Sequence, residues 1–331
     1  MKQKYTDILD ITSTEKAIKF IKDTFQKNFS QRLDLLRVTA PIIVLSGTGV
    51  NDDLNGVERP VRFPIKCMNE RSAEVVHSLA KWKRMKLGEL GTKPGFGLFT
   101  DMNALRPDEM LDNIHSIYVD QWDWERVMTP EDRNMGFLRT IVRMVYSSIK
   151  DTEAEVYAKF PQITPILPED ITFVSSEEML QKYPDLTPKE RENKYAQQYG
   201  AIFVSGIGGA LSDGSIHDGR ADDYDDWTLN GDIILWNPVL QSAFEVSSMG
   251  IRVDAAALLR QLGVTGNDYK KKLIFHSMLL EGKLPQTIGG GIGQSRLCMF
   301  LLRKAHIGQV QASIWPEEMR ESCREQGIEL M

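Results

Sequence analysis

The run richest in chemical possibilities is Gly289-Gly290-Gly291-Ile292-Gly293-Gln294-Ser295-Arg296, followed by the apolar stretch Leu297-Cys298-Met299-Phe300-Leu301-Leu302. Glycine lacks a Cβ, so the backbone there can approach a ligand closely, and a helix starting just after it offers free N–H groups to an anion. Arg296 falls in the first turn of that predicted helix. A dinucleotide fingerprint is excluded: Pro285 and Gln286 stand where its apolar strand should lie, and too little chain follows to complete a half-sheet. A glycine-rich strand bend packed on a helix remains the plainer reading. A second concentration of reactive groups is the acidic run Asp222-Asp223-Tyr224-Asp225-Asp226, which alone reads as a solvated loop or as a source of metal-binding carboxylates. His77 and His115 have no serine or carboxylate at a spacing that indicates a triad.

The elements that would position these groups follow from periodicity. Ala17, Ile18, Ile21 and Phe25 recur at helical spacing behind a capping-box pair, Thr12 and Glu15, which predicts a helix over 14–35. The next apolar run predicts a strand bent at Pro41, and Asn, Asp and Gly at 51–56 predict a turn. Alternating Val61, Phe63 and Ile65 predict a half-buried strand. Further strands are expected over 97–102, 114–121, 201–204, 233–236, 243–247 and 309–314. Helices are expected over 79–87, 131–160, 187–199, 255–262, 268–280 and 294–303. Strands and helices arrive in runs, which favours an α+β domain with an antiparallel sheet flanked by helices. No repeat or flexible linker divides residues 1–331, so a single catalytic domain is expected.

The chain has 331 residues and a net charge of -6. That acidity argues against nucleic acid as a partner. Cys67, Cys298 and Cys323 are odd in number and far apart, without zinc-ligand spacing, which fits a reducing, cytoplasmic setting. No apolar run approaches about 18 residues, so no membrane association is expected.

Gly-Gly-Gly-Ile-Gly-x-x-Arg296 before an apolar helix resembles the third signature motif of class II aminoacyl-tRNA synthetases. Glu245-x-x-x-x-Gly250-x-Arg252 and the stretch from Ala305 to Pro316 resemble its neighbours in the aspartyl/asparaginyl branch. Further blocks resemble ammonia-dependent asparagine synthetase of the A type. These are Glu74-Val-Val-His77-Ser78-Leu-Ala-Lys81-Trp-Lys83-Arg84, Ala104-Leu-Arg106-Pro-Asp-Glu109, His115 to Arg126, Leu211 to Gly214, and Arg220-Ala-Asp-Asp-Tyr-Asp225-Asp226-Trp227. The resemblance runs from about Pro41 to Pro316. It implies a homodimer with a class II synthetase-like core. It also implies the conversion of ATP, L-aspartate and ammonia to L-asparagine, AMP and pyrophosphate.

The resemblance assigns Arg106 to the α-phosphate and Arg296 to the γ-phosphate and adenine, with Gly291 and Gly293 beside ATP. Glu245 is the candidate Mg²⁺ ligand, with Asp225 second; Asp222 and Asp223 are expected to be structural. The amino group of aspartate needs carboxylates or amide oxygens, for which Asp52, Gln121 and Asp123 are candidates. Its α-carboxylate needs cations, for which Lys83 and Arg220 are candidates. Ser78, Ser247 and Ser248 can add hydrogen bonds. A carboxylate must also take a proton from ammonium: Asp52 is the first candidate and Asp123 the second. Two other readings stay open on these residues. One is a shortened aspartyl- or asparaginyl-tRNA synthetase. The other is a non-catalytic paralogue that binds amino acid or AMP.

Overall fold

The computed structural model describes residues 5–54, 56 and 58–331. An eight-stranded sheet forms its centre. Its strands are β1 (Leu35–Arg37), β5 (Gly97–Leu105), β6 (Tyr118–Val127), β11 (Thr287–Gly293), β10 (Ser242–Arg252), β9 (Asp225–Asn237), β8 (Ala201–Ser205) and β7 (Thr172–Ser175), in that spatial order. The six central strands are antiparallel, and the edge pairs β1–β5 and β7–β8 are parallel, so the sheet is mixed. A small second sheet pairs β2 (Ile43–Leu45), β4 (Arg71–Val75) and β3 (Arg62–Ile65). Helices α1 (Ile11–Leu33) and α3 (Met135–Lys159) pack together, and α2 (Ala80–Glu89) lies on β6.

The two faces of the sheet differ in chemistry because side chains alternate along a strand. On β6, Trp122 and Trp124 enter the apolar core with Phe25, Phe29 and Val142. The intervening residues Gln121, Asp123 and Glu125 point to the opposite face, and Gln121 and Asp123 line the cavity described below. On β10, Phe244, Val246, Met249 and Ile251 belong to the core. A register shift between Glu245 and Ser247 inserts one residue into the alternation. Such bulges re-aim side chains beside functional sites, and here Glu245, Ser247 and Ser248 all reach the same cavity.

Several expectations are corrected. The first helix begins at Ile11, capped by Asp10 accepting from the Ser13 N–H, so Thr12 and Glu15 are not its capping box. β3 and the Val61 that precedes it are largely exposed, with Val61 36% and Phe63 38% accessible. The region 268–280 is a short 3₁₀ turn followed by α7 (Ile274–Leu280). No strand forms over 309–314: a 3₁₀ turn at Ile307–Gln309 stands there, closed by His306 and Gln309. β7, α4 (Ser176–Lys182) and α9 (Glu317–Glu325) were not expected.

Candidate active site

A cavity of about 530 Å³ opens on the polar face of the sheet. It gathers Arg106, Arg296, Asp52, Ser78, Gln121, Asp123, Arg220, Asp225, Glu245, Ser247, Ser248, Gly291 and Gly293, residues far apart in sequence. Lys83 is the exception. It is fully buried behind the wall, where Nζ donates to Asp123 Oδ1, to the Trp124 carbonyl at 2.8 Å and to the Gly290 carbonyl at 3.3 Å. Its charge is spent inside the protein, so the α-carboxylate role expected for it is corrected to one of holding Asp123. The Asp123 carboxylate takes a second bond from the Leu79 N–H at 3.1 Å. Burial pushes the Asp123 carboxyl up, against the pull of Lys83.

The glycine run is not a loop that cradles phosphate. It is the central strand β11, between β10 and β6. Its glycines make space for neighbouring side chains. A Cβ at Gly289 would meet Glu125 Oε2 at 2.1 Å, and one at Gly291 would meet Gln121 Oε1 at 2.2 Å. None of Gly289, Gly290, Gly291 and Gly293 has a left-handed φ, so the requirement is room and not backbone conformation. Gly291→Ala is therefore expected to displace the Gln121 amide while the sheet survives. A displacement of that size costs up to about 100-fold in a positioned reaction. We expect a substrate KM raised about tenfold or more, with an unchanged far-ultraviolet spectrum; an unchanged KM would show that Gln121 does not touch the substrate.

Helix α8 (Gln294–Leu301) follows directly, with Arg296 in its first turn as expected. One of its first-turn N–H groups is taken by the protein: the Asp120 carboxylate accepts from the Ser295 N–H at 3.0 Å and from the Ser295 hydroxyl at 2.9 Å. The cation remains: Arg296 Nη1 donates to the Glu245 carbonyl at 3.1 Å and lies 3.8 Å from its carboxylate.

Two further arginines face the cavity. Arg106 donates through Nη2 to the His77 carbonyl at 3.3 Å, and its buried Nε has no partner among the described residues. Arg220 donates to Ser248 Oγ and, at 2.5 Å, to Asp232 Oδ1. Burial opposes the Arg220 charge, but Asp232 and Asp225 outweigh it and hold the guanidinium protonated. Asp232, which sequence reading missed, supports the site from behind by holding Arg220. It lies opposite Ser248 in the β9–β10 register. Burial, reinforced by Glu245, pushes its carboxyl up to about 7 despite Arg220. Only the hairpin pairing brings it here, and no local motif marks it.

The acidic run divides. Asp225 reaches the cavity, but its Oδ1 accepts from Arg252, which also forks onto Glu125 at 2.8–3.1 Å. That ion pair engages the carboxylate expected to be second on the metal. Asp222 and Asp223 lie behind, as expected of structural residues. Asp223 pairs with Lys81 at 2.7 Å and His276 at 3.0 Å, and Asp222 with Lys270 at 2.9 Å. Asp52 is 2% exposed; its Oδ1 accepts from the Leu54 N–H at 2.9 Å, and its Oδ2 has no partner among the described residues. His115 lines the cavity mouth and bonds Asp112 at 2.9 Å.

Comparison with solved structures places this architecture. Asparaginyl-tRNA synthetase from Entamoeba histolytica superposes with a TM-score of 0.65 at 14% identity, over 91% of this chain and 67% of that one. The Pyrococcus horikoshii asparaginyl-tRNA synthetase complexed with asparaginyl-adenylate gives 0.64 at 15% identity, over 92% and 70%. The fold is thus that of the class II aminoacyl-tRNA synthetase catalytic core.

Sequence is more specific. The family described as aspartate-ammonia ligase matches residues 12–327. Aspartate–ammonia ligases from Parabacteroides distasonis and Clostridium perfringens are 57% and 56% identical, each across 99% of this chain and 97% of their own. The chain belongs to the aspartate–ammonia ligase family, and it is an enzyme of the ligase class.

Proposed function

We propose that the chain makes L-asparagine from L-aspartate and ammonia, with ATP as co-substrate, through a β-aspartyl adenylate. The supporting observation is a single cavity lined by four guanidiniums, those of Arg106, Arg220, Arg252 and Arg296, together with several carboxylates. A carboxylate does not react with ammonia, because its oxygen is a poor leaving group. Transfer of AMP from ATP makes that oxygen a good one and releases pyrophosphate. Charge grows on the phosphoryl oxygens as this happens, so preorganised cations lower the barrier. Arg106, whose Nε has no partner among the described residues, serves the α-phosphate; Arg296 serves the γ-phosphate and the adenine face, by fork and by stacking.

The aspartate substrate needs both polarities. Arg220 suits its α-carboxylate, and Gln121 and Asp123 suit its amino group. In the second step ammonium gives a proton to Asp52. Neutral ammonia then adds to the β-carbonyl carbon, the adduct gives a second proton to water, and the bond from that carbon to the phosphoryl oxygen breaks to free AMP.

Mg²⁺ would be held first by Glu245, which lines the cavity; Asp225, the second candidate, also lines it but is engaged by Arg252, as the neighbouring Asp232 is by Arg220. No trio of acidic, His or Cys side chains encloses a metal among the described residues, so phosphate oxygens and water would complete its shell. Its contribution there would be charge neutralisation on the phosphates.

A homodimer and a cytoplasmic setting complete the proposal. The edge strand β1 with its surroundings exposes Leu36, Leu90 and Phe96, which supports a self-association surface. The three cysteines are free, and no described helix is long and apolar enough to cross a membrane.

The test is a product assay with aspartate, ATP and Mg²⁺, comparing ammonium with glutamine as nitrogen source. Asparagine and AMP in equal amounts, with ammonium preferred, are expected. ADP as product, or no asparagine, would overturn the reading.

A further inference from the structure

His77 is 1% exposed and lies outside the cavity wall, yet it touches both ends of the site. Its Nδ1 lies 3.1 Å from the main-chain carbonyl of Asp52. A carbonyl can only accept, so Nδ1 carries the proton and donates. Asn51 reinforces this link: its Oδ1 accepts from the Asp52 N–H at 2.9 Å and from the His77 N–H at 2.8 Å. The Asn51 amide is fixed in turn by its Nδ2, which donates to Glu74 at 3.1 Å and to the Val75 carbonyl at 3.2 Å, on β4. On the other side, the His77 carbonyl accepts from Arg106 Nη2. One residue therefore joins the turn that carries Asp52 to the guanidinium that serves phosphate.

The two links differ in kind. The contact with Arg106 uses His77's main chain and survives any substitution. The contact with Asp52 uses the side chain and does not. The Asp52 carboxylate has one oxygen held by the Leu54 N–H and the other without a partner among the described residues. Its aim thus depends on how the main chain of its turn is held. The imidazole supplies one of those restraints from a buried, rigid position.

We infer that His77 is a positioning residue for the ammonia step: its Nδ1–H fixes the turn of Asp52 and so aims the free carboxylate oxygen at the nucleophile. This rests on the reading that Asp52 serves ammonia and not adenylation. The prediction separates the two half-reactions. His77→Leu removes the donor at similar size. It is expected to raise the KM for ammonia about tenfold or more, the order that misplacement of a positioned group produces. ATP–pyrophosphate exchange with aspartate should stay within about twofold of the parent. Asparagine at position 77 places an amide N–H where Nδ1 stood, so His77→Asn should restore most of the ammonia affinity. Glutamine places its amide at the position of Nε2 instead, so His77→Gln should behave like leucine. If leucine prevents folding, the Asn/Gln pair carries the comparison alone.

Equal loss of exchange and amination in folded His77→Leu or His77→Gln, or an asparagine variant as impaired as these, would overturn the inference. Asp52→Asn is measured in parallel. Loss of amination with exchange retained supports the underlying reading. If Asp52→Asn loses both equally, Asp52 is a substrate-binding residue and the inference falls with that reading. If Asp52→Asn loses amination alone while all His77 variants match the parent, only the positioning role of His77 falls.

Discussion

Replacing Arg106 by alanine is expected to slow ATP–pyrophosphate exchange by about 100- to 1,000-fold, about 3–4 kcal/mol of transition-state stabilisation. The reasoning is electrostatic. Among the described residues the Arg106 side chain donates to the His77 carbonyl at 3.3 Å and keeps a buried Nε without a partner. An unsatisfied buried donor carries a desolvation cost, which a bound anion would relieve. Removing the side chain removes that cost as well, so conformational stability should change by less than about 1 kcal/mol. Arg220 and Arg252 differ, because each already neutralises a buried carboxylate. Arg106→Lys should recover only part of the loss, since an ammonium lacks the planar fork that matches phosphate oxygens. Pulse-chase or steady-state exchange, with aspartate binding measured separately by calorimetry, checks this. Exchange within tenfold of the parent would remove Arg106 from the phosphate.

Which parts of this site could be read from sequence depends on where the partners lie. Arg106, Glu245 and Arg296 sit in short blocks whose residue order is itself distinctive, and all three reach the cavity. Asp232 has no such block. It comes to support the site only because β9 turns back along β10 and sets it opposite Ser248. Lys83 misleads for the converse reason: a lysine in a distinctive block looks available to substrate, but from α2 it is engaged by Asp123 on β6.

The same limit applies to the elements. Reading the strand as 114–121 stops it at Gln121, whereas β6 continues to Val127. The continuation Trp122-Asp-Trp-Glu-Arg126 keeps the alternation, but its acidic positions are buried. A single sequence cannot tell a carboxylate in water from one facing an arginine across the sheet. β9 likewise begins at Asp225, within the acidic run, because Arg252 and Arg133 supply counter-charges from distant segments. The glycine run was legible as a place of close approach. What approaches it, however, is the protein's own Gln121 and Glu125. The apolar face formed by α1 and α3 needed no such partner information, since helical periodicity alone marks it.

Replacing Glu125 by glutamine is expected to cost about 3–5 kcal/mol of folding stability at neutral pH, the usual result of removing one member of a buried ion pair. Glu125 is fully buried, bridged by Arg252 through both oxygens and approached by Lys83 at 3.8 Å. Burial alone would raise its carboxyl, but Arg252 and Lys83 outweigh burial and hold it below its ordinary value. Glutamine keeps the size, so the loss is of charge and not of packing. It leaves Arg252 with Asp225 alone, and it leaves Lys83 with Asp123 alone. The sign of the pH dependence follows from linkage. A carboxyl with a lowered folded-state pKa contributes fully above its unfolded value, about 4.3. That contribution is lost as pH falls below this value towards the folded one. Denaturant unfolding of parent and Glu125→Gln should therefore differ most at pH 6–8, and the gap should narrow below about pH 4. A gap that is small at pH 7, or that widens in acid, would mean that Glu125 is not ionised in the folded protein. The charges beneath the cavity floor would then be balanced in some other way.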